Sequence, residues 1–231
     1  IKQVALAAST DDTRPILTGV CLVLQDGNLR LAATDTHRLA VRNARVTEAS
    51  GDATVIVPVR AMNELMRVLA DDPESMLDVR MDQNQILFRT DRVTLISRLI
   101  EGQFPRYERV IPTGWTKRLT ISREELASAL KRARIVAREN SSKDRVLFQA
   151  DGELLTITAV GSTNKGHEEV EIQCEGDPIS IAFNVSYLVE VLGVLSCQGV
   201  FLELTEPLSP GVLRPVDGDD YLMVVMPMQV Q

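Results

Sequence analysis

The sequence predicts an α+β protein built from two similar domains, each with two helices packed on antiparallel sheet. Three observations predict it. Apolar residues alternate at period two through many short runs, and only a few longer stretches carry a helical period. The turn Gln25-Asp26-Gly27-Asn28-Leu29 recurs as Ala150-Asp151-Gly152-Glu153-Leu154, shifted by 125. At a shift of 124, the segment Val55–Leu65, opening Val-Ile-Val-Pro-Val, matches Ile179–Val189, opening Ile-Ser-Ile-Ala-Phe. Each of these segments is an alternating strand running straight into a helix. The two repeats also end alike, Val110-Ile111-Pro112 against Val225-Met226-Pro227, 115 positions apart.

Taken in order, Val4 and Leu6-Ala7-Ala8 give the opening segment an apolar helical face reaching about Ser9. No initiator Met or signal peptide precedes it, so the chain is expected to begin inside an element. Strands are expected near 16–24, 28–34, 37–46 and 53–58, the first two joined by Asp26-Gly27, a strong hairpin signal. A helix over 59–70 leads through the acidic loop Asp71-Asp72-Pro73-Glu74 to strands near 75–81, 84–89 and 92–100. Pro112-Thr113-Gly114 reads as a linker, dividing a domain at 1–112 from one at 117–231. The second domain opens with a strand near 117–121 and a helix over 123–139. Ser122 offers that helix an N-cap hydroxyl, and Glu125 stands at its third position. Strands near 144–150, 153–159, 167–174 and 178–183, a helix over 184–196, and strands near 199–205, 210–215 and 221–226 complete it.

Composition excludes several classes. With 45% hydrophobic and 25% charged residues the chain is ordinarily globular. It lacks an apolar run long enough to span a membrane, and its three scattered cysteines fit the reducing cytosol, so a cytoplasmic location is expected. Cys21, Cys174 and Cys197 are odd in number and form no Cys-x-x-Cys pair, so they read as small buried residues. His37 and His167 are the two histidines and stand in no ligand cluster, so no metal or cofactor is expected. Asp35 and His37 have no nucleophile elbow beside them, and the chain reads as a protein without catalytic activity.

The net charge of −7 hides a segregation. Lys117 to Arg145 holds nine Lys/Arg against four Asp/Glu, whereas Val146 to the end holds two against thirteen. Within the helix at 123–139, Leu126, Leu130, Ala133 and Ala137 form a core stripe. Lys131, Arg134 and Arg138 share the neighbouring face, with no carboxylate at i±4. Arg123, Arg132, Lys143 and Arg145 add charge nearby, and Lys2, Arg60 and Arg67 sit on the other helices. Aromatics make up 4% and are not interleaved with these cations, which argues against base stacking. Sequence-independent contact with duplex phosphates is the chemistry left.

Four segments carry a family resemblance. Ala33-Thr34-Asp35-Thr36-His37-Arg38-Leu39-Ala40 resembles the Ala-Thr-Asp-x-His-Arg-Leu-Ala segment of the bacterial DNA polymerase III beta subunit family, the DNA sliding clamps. Ile100-Glu101-Gly102-Gln103-Phe104-Pro105-Arg106-Tyr107, Phe183-Asn184-Val185-Ser186-Tyr187-Leu188 and Met226-Pro227-Met228 are similar to further family segments, in family order. The resemblance implies the DNA clamp fold, with this chain holding the middle and C-terminal domains and an upstream first domain absent. It implies a homodimeric, head-to-tail ring around duplex DNA that acts as a processivity factor in DNA replication and is nucleoid-associated. It implies a pocket taking a short Gln/Leu/Phe-type peptide of DNA polymerase subunits, the clamp loader and repair proteins. By position, Leu17, Thr34, His37, Arg38, Leu39, Pro105 and Val110 would serve it from the middle domain. Asn184, Tyr187, Val224, Met226, Pro227 and Met228 would serve it from the C-terminal domain. Ile135 and Val136 are expected at the subunit interface.

Three departures stand out. Gln229 replaces the family's usual Arg, Ile16 a Tyr of some relatives, and Thr36 a position often Gly or Ser, a mild loop change. A second reading is a protein-interaction module that binds partner peptides without encircling DNA. Coding sequence upstream for a third unit favours the ring, and a start codon just before Ile1 favours the module.

Overall fold

The computed structural model describes residues 1–70, 76–139, 144–218 and 220–229. The acidic loop at 71–74 and Lys143 lie outside the described residues. The chain divides into two compact units, Ile1–Arg106 and Tyr107–Gln231. Residues 107–112 thus fall in the second unit, and Pro112-Thr113-Gly114 marks the turn into that unit's first strand rather than the departure from the first unit.

The first unit contains α1 (Lys2–Ala5), β1 (Gly19–Gln25), β2 (Asn28–Thr34), β3 (Arg38–Arg45) and β4 (Ala53–Pro58). It continues with α2 (Val59–Ala70), β5 (Asp78–Met81), β6 (Gln85–Arg89) and β7 (Thr94–Arg98). Four strands pair antiparallel in the order β4-β1-β2-β3, and β5-β6-β7 make a separate small sheet. Both helices pack on the four-stranded sheet and touch each other.

The opening helix is shorter than its apolar face predicts. Beyond Ala5 the amides of Ala7 and Ala8 reach only three residues back, to the Val4 and Ala5 carbonyls. The Ser9 amide then turns away to the Leu17 carbonyl at 2.8 Å. Val4, Ala7 and Ala8 are buried all the same, so the apolar pattern reports burial and not helical length. The strand expected from 16 starts at Gly19, because Pro15, with its fixed φ, opens a 3₁₀ turn over Pro15–Thr18. Gly19 is required there: a Cβ would stand 2.5 Å from the Ile56 side chain.

The second unit runs β8 (Lys117–Ser122), α3 (Arg123–Glu139), β9 (Arg145–Asp151), β10 (Leu154–Val160), β11 (Lys165–Glu175) and β12 (Ile179–Asn184). It ends with α4 (Val185–Val194), β13 (Gly199–Leu204), β14 (Gly211–Pro215) and β15 (Tyr221–Val225). Its sheet has the order β12-β9-β10-β11-β8-β13-β14-β15, antiparallel throughout. Helix α3 starts where Ser122 predicts, its Oγ accepting the Glu125 amide at 3.4 Å. Leu126, Leu130, Ala133 and Ala137 are all buried, facing β10 and β11. At the core centre the Phe148 and Phe183 rings meet edge to face, centroids 5.7 Å apart. Gly211 admits Phe183, since a Cβ there would lie 2.8 Å from the ring.

The internal repeat is real, but its register is 126. Adding 126 to each member of the pairs Gly19↔Pro58, Gln25↔Asn28 and Thr34↔Leu39 gives Arg145↔Asn184, Asp151↔Leu154 and Val160↔Lys165. Helices α2 and α4 begin 126 apart as well. The Asp-Gly dipeptides are therefore not equivalent. Asp26 and Gly27 are both loop residues with positive φ (50° and 72°), as a type I′ turn requires. Asp151 is instead the last strand residue, and Gly152 (φ 58°) with Glu153 forms the loop.

Candidate functional site

On α3, Lys131 and Arg138 are exposed and Arg134 is half-buried on the face beside the core stripe. Lys131 has no ion pair among the described residues, and the Arg134 Nε is buried without a hydrogen-bond partner among them. A carboxylate does approach from outside the helix: Asp144 Oδ2 stands 3.9 Å from Arg138 Nε. The supporting cations are largely engaged. Arg123 Nε donates to the Cys197 carbonyl at 3.0 Å, Arg132 is paired with Glu168, and Arg145 Nη1 donates to the Gln229 carbonyl at 3.0 Å. Within the stripe, Lys131 is exposed and without an ion pair among the described residues, Arg138 is exposed beside Asp144, and Arg134 is half-buried. In the first unit Lys2 and Arg60 are exposed, and Arg67 pairs with Glu64 at 2.7 Å on an open surface.

The loop between β2 and β3 is held by one carboxylate. Asp35 Oδ1 accepts the amides of His37 (2.9 Å) and Arg38 (3.0 Å), while its Oδ2 takes the Arg38 Nε at 2.9 Å. Thr34 Oγ1 donates to the Arg38 carbonyl at 2.6 Å and accepts the Thr36 amide at 3.1 Å. The Arg38 side chain is 10% exposed, so its guanidinium is aimed by the loop and not swung by solvent. Leu17 and Leu39 are buried, Thr34 is half-buried, and His37 and Pro105 are exposed. Thr36 has φ 80°, a left-handed backbone in which a β-branched residue is strained, so this departure is larger than a mild loop change. Ile16 is half-buried against Gly102, whose φ of 129° excludes an ordinary side chain; a Cβ would be 2.9 Å from Ile16 Cδ1.

In the second unit Asn184 caps α4, its Oδ1 accepting the Ser186 amide at 2.9 Å. Ser186 donates its hydroxyl to Asp144, whose carbonyl also takes the Val185 amide at 2.7 Å. These bonds fix the first turn of the helix that carries Tyr187, itself half-buried. After β15 the chain returns to β12, the Met228 amide donating to the Ala182 carbonyl at 2.8 Å. Val224 is buried, whereas Met226, Pro227 and Met228 are half-buried beside α4's entry strand, and Val110 is exposed. This concentrates methionine and proline surface next to Asn184, an adaptable apolar lining. Gln229 offers its exposed side chain to solvent, and its backbone carbonyl takes Arg145.

Ile135 is 68% exposed, which removes core packing as its role, while Val136 packs its side chain over Gly166. None of the three cysteines is in a disulfide, and burial pushes the Cys174 and Cys197 thiols up from their ordinary value. His37 and His167 lie in different units; His167 Nε2 stands 3.2 Å from Glu169.

One arrangement has no counterpart in the expectations from sequence. Arg118 lies between two aromatic rings, 4.2 Å from the Trp115 centroid and 4.6 Å from that of Phe201. Its Nη2 donates to Glu203 at 2.7 Å, and Arg214 Nε reaches the other Glu203 oxygen at 3.1 Å. The signal available was the single tryptophan, three residues ahead of Arg118 in the linker.

Residues 1–106 match the family model of the DNA polymerase III beta subunit, central domain, and residues 108–229 that of its C-terminal domain. A beta sliding clamp of Staphylococcus epidermidis is 33% identical over 232 residues, covering 99% of this chain and 61% of that protein. A crystal structure of the DNA polymerase sliding clamp from Pseudomonas aeruginosa superposes with TM-score 0.94 at 34% identity, over all of this chain and 63% of that one. One from Bacillus subtilis gives TM-score 0.95 at 29% identity, with coverage of 100% and 61%. This chain therefore spans about three fifths of the length of the relatives it matches. Among the described residues no helix is long and apolar enough to cross a membrane. The chain belongs to the DNA polymerase III beta subunit family, and what it carries of that family is the central and C-terminal domains.

Proposed function

We propose that this chain is the central and C-terminal portion of a sliding clamp, a non-catalytic processivity factor that encircles duplex DNA as a homodimeric ring. The observation that carries this reading is the consecutive match of both family domains across residues 1–229. The geometry of α3 supports it. Lys131, Arg134 and Arg138 share one face, while the strands beyond that helix are strongly acidic. That charge distribution favours phosphate contact on the helix and disfavours it elsewhere. Such contacts carry no base preference, as a sliding ring needs. The benefit of encirclement is kinetic: a polymerase tethered to the ring stays at high effective concentration near the primer end.

Partner peptides of the Gln/Leu/Phe type are assigned to two sets of residues. Leu17, Thr34, His37, Arg38, Leu39 and Pro105 form the set on the first unit. Val110, Asn184, Tyr187, Val224, Met226, Pro227 and Met228 form the set on the second. The aimed Arg38 guanidinium and the methionine–proline surface beside Asn184 support the assignment. Ile135 and Val136 are assigned to the subunit interface, since an exposed isoleucine needs an apolar cover.

Calorimetry with a Gln/Leu/Phe-type peptide tests the docking half. Arg38→Glu, or deletion of Met226–Gln231, is expected to weaken binding by at least about tenfold, on the order of 1.4 kcal/mol. Unchanged affinity in both would remove the assignment. For the ring half, Lys131, Arg134 and Arg138 are reversed together in the full-length protein. Retention on nicked circular DNA is expected to fall and to lose part of its salt dependence. A ring that retains DNA as before would return the stripe to a solvated face, and a full-length protein that docks peptide but never encloses DNA would be an interaction module.

A further inference from the structure

Beside the Arg118 stack the second unit has a cavity of about 360 Å³. One wall is the linker from Pro112 to Trp115, the other is the turn after β13 with Thr205, Pro210 and Val212, and Glu203 and Arg214 lie on its surface. None of these residues belongs to the peptide-docking or DNA-facing sets assigned above.

The walls are pinned together before any ligand arrives. The Thr116 amide donates to the Leu204 carbonyl at 3.0 Å, and Lys117 Nζ and Thr116 Oγ1 both donate to the Thr205 carbonyl, at 2.9 and 3.2 Å. Preorganisation of this kind lowers the ordering cost of binding. The chemistry is donor-rich. Two guanidiniums, Arg118 and Arg214, share the single Glu203 carboxylate, leaving one positive charge in excess. The Arg118 Nε–H is buried away from the cavity lining, so the donors that can reach a ligand are those of Arg214. Arg118 itself is stacked between its two rings. A flat aromatic, two prolines and the Arg214 guanidinium, backed by the net positive charge of the Arg118–Glu203–Arg214 cluster, complement a carboxylate flanked by apolar groups.

We propose that this cavity binds the carboxylate of an acidic residue within an extended, apolar-flanked peptide segment of a partner protein, a docking point separate from the Gln/Leu/Phe-type site. Occupancy is readable directly, because Trp115 is the one tryptophan of the chain. The 231-residue chain is titrated with acetylated tripeptide amides carrying glutamate at the centre and proline, leucine or phenylalanine on either side. Each is paired with its glutamine counterpart, and deoxyadenosine monophosphate serves as a phosphate control. A saturable change in tryptophan emission is expected for at least one glutamate peptide, with at least tenfold weaker binding of its glutamine partner. Arg214→Gln is expected to weaken that binding about tenfold, Arg214→Lys to recover part of it, and Arg80→Gln, on an exposed strand of the first unit, to leave it unchanged. Because Arg214→Gln also frees Glu203, its melting curve is recorded alongside, and the lysine variant decides if the curve shifts. No saturable response to any peptide, equal response to glutamate and glutamine, or tighter binding of the monophosphate would overturn the proposal.

Discussion

The two units hold the same four-stranded arrangement in the same register, offset by 126, yet they use it differently. In the second unit β8 pairs with both β11 and β13, so eight strands run on as one sheet under a seventeen-residue α3. In the first, β5–β7 stand apart as a separate small sheet. The cores differ accordingly. Val57 of β4 and Phe183 of β12 are equivalent positions, both fully buried, and only the second needs a glycine opposite to admit an aromatic ring. Conserved register with different filling shows that strand pairing sets the frame while side-chain volume is adjusted locally.

That pair gives the largest expected effect. Phe183→Ala removes a ring packed against Phe148 and Gly211 and is expected to cost about 3–5 kcal/mol, whereas Val57→Ala is expected to cost about 2–3 kcal/mol. Denaturant unfolding followed by Trp115, which reports the second unit, separates them. Phe183→Ala shifts the tryptophan transition to lower denaturant. If Val57→Ala shifts that transition as much, the units do not hold separate cores. The hairpin loops give the next test. Residues 35–38 and 161–164 are equivalent, and each closes with an amide-to-carbonyl bond, from Asp35 to Arg38 and from Gly161 to Asn164. In the first the carboxylate belongs to the loop itself and takes two of its amides, whereas in the second Asn164 Nδ2 donates to Glu139 of α3 at 3.3 Å. Asp35→Ala removes three charge-assisted acceptor contacts and is expected to cost about 1–3 kcal/mol. It is also expected to weaken peptide binding through a loosened Arg38; unaltered affinity in calorimetry would mean that Arg38 is not positioned by this loop.

The sequence was most informative where one signal stood alone. Helices α2 and α3 have the bounds that amphipathic spacing and Ser122 predict, 59–70 and 123–139. It misled where letters matched out of register, as with the Asp-Gly dipeptides 125 apart. Turn chemistry makes Asp-Gly attractive at either loop position, so identity alone could not fix which one it fills. The four family segments were legible, yet the bonds that organise them were not. That Asp35 would serve His37 and Arg38 together depends on a left-handed Thr36, which no residue preference announces. The Arg118 stack was hidden for another reason. Arg118 and Glu203 face each other because β8 pairs with β13, a contact across 85 positions of chain.

Thr36 offers the finest discrimination between the units. Its φ of 80° places a β-branched side chain in a region that costs roughly 1–2 kcal/mol, while glycine enters it freely. Glycine also gives the unfolded chain more freedom, which takes back about 0.5–1 kcal/mol. Thr36→Gly is therefore expected to stabilise the first unit by about 0.5–1 kcal/mol, since the Thr36 amide keeps its bond to Thr34 Oγ1. The equivalent Ser162 lies at no positive φ, so Ser162→Gly has no strain to relieve and is expected to destabilise the second unit by about 0.5–1 kcal/mol. Equal register thus predicts opposite signs at equivalent positions, measurable as opposite shifts in denaturation midpoint. If Thr36→Gly also destabilises, the strained loop is held by contacts of the threonine side chain that outweigh its backbone cost, and the departure at this position is an adaptation of the Arg38 loop and not a tolerated defect.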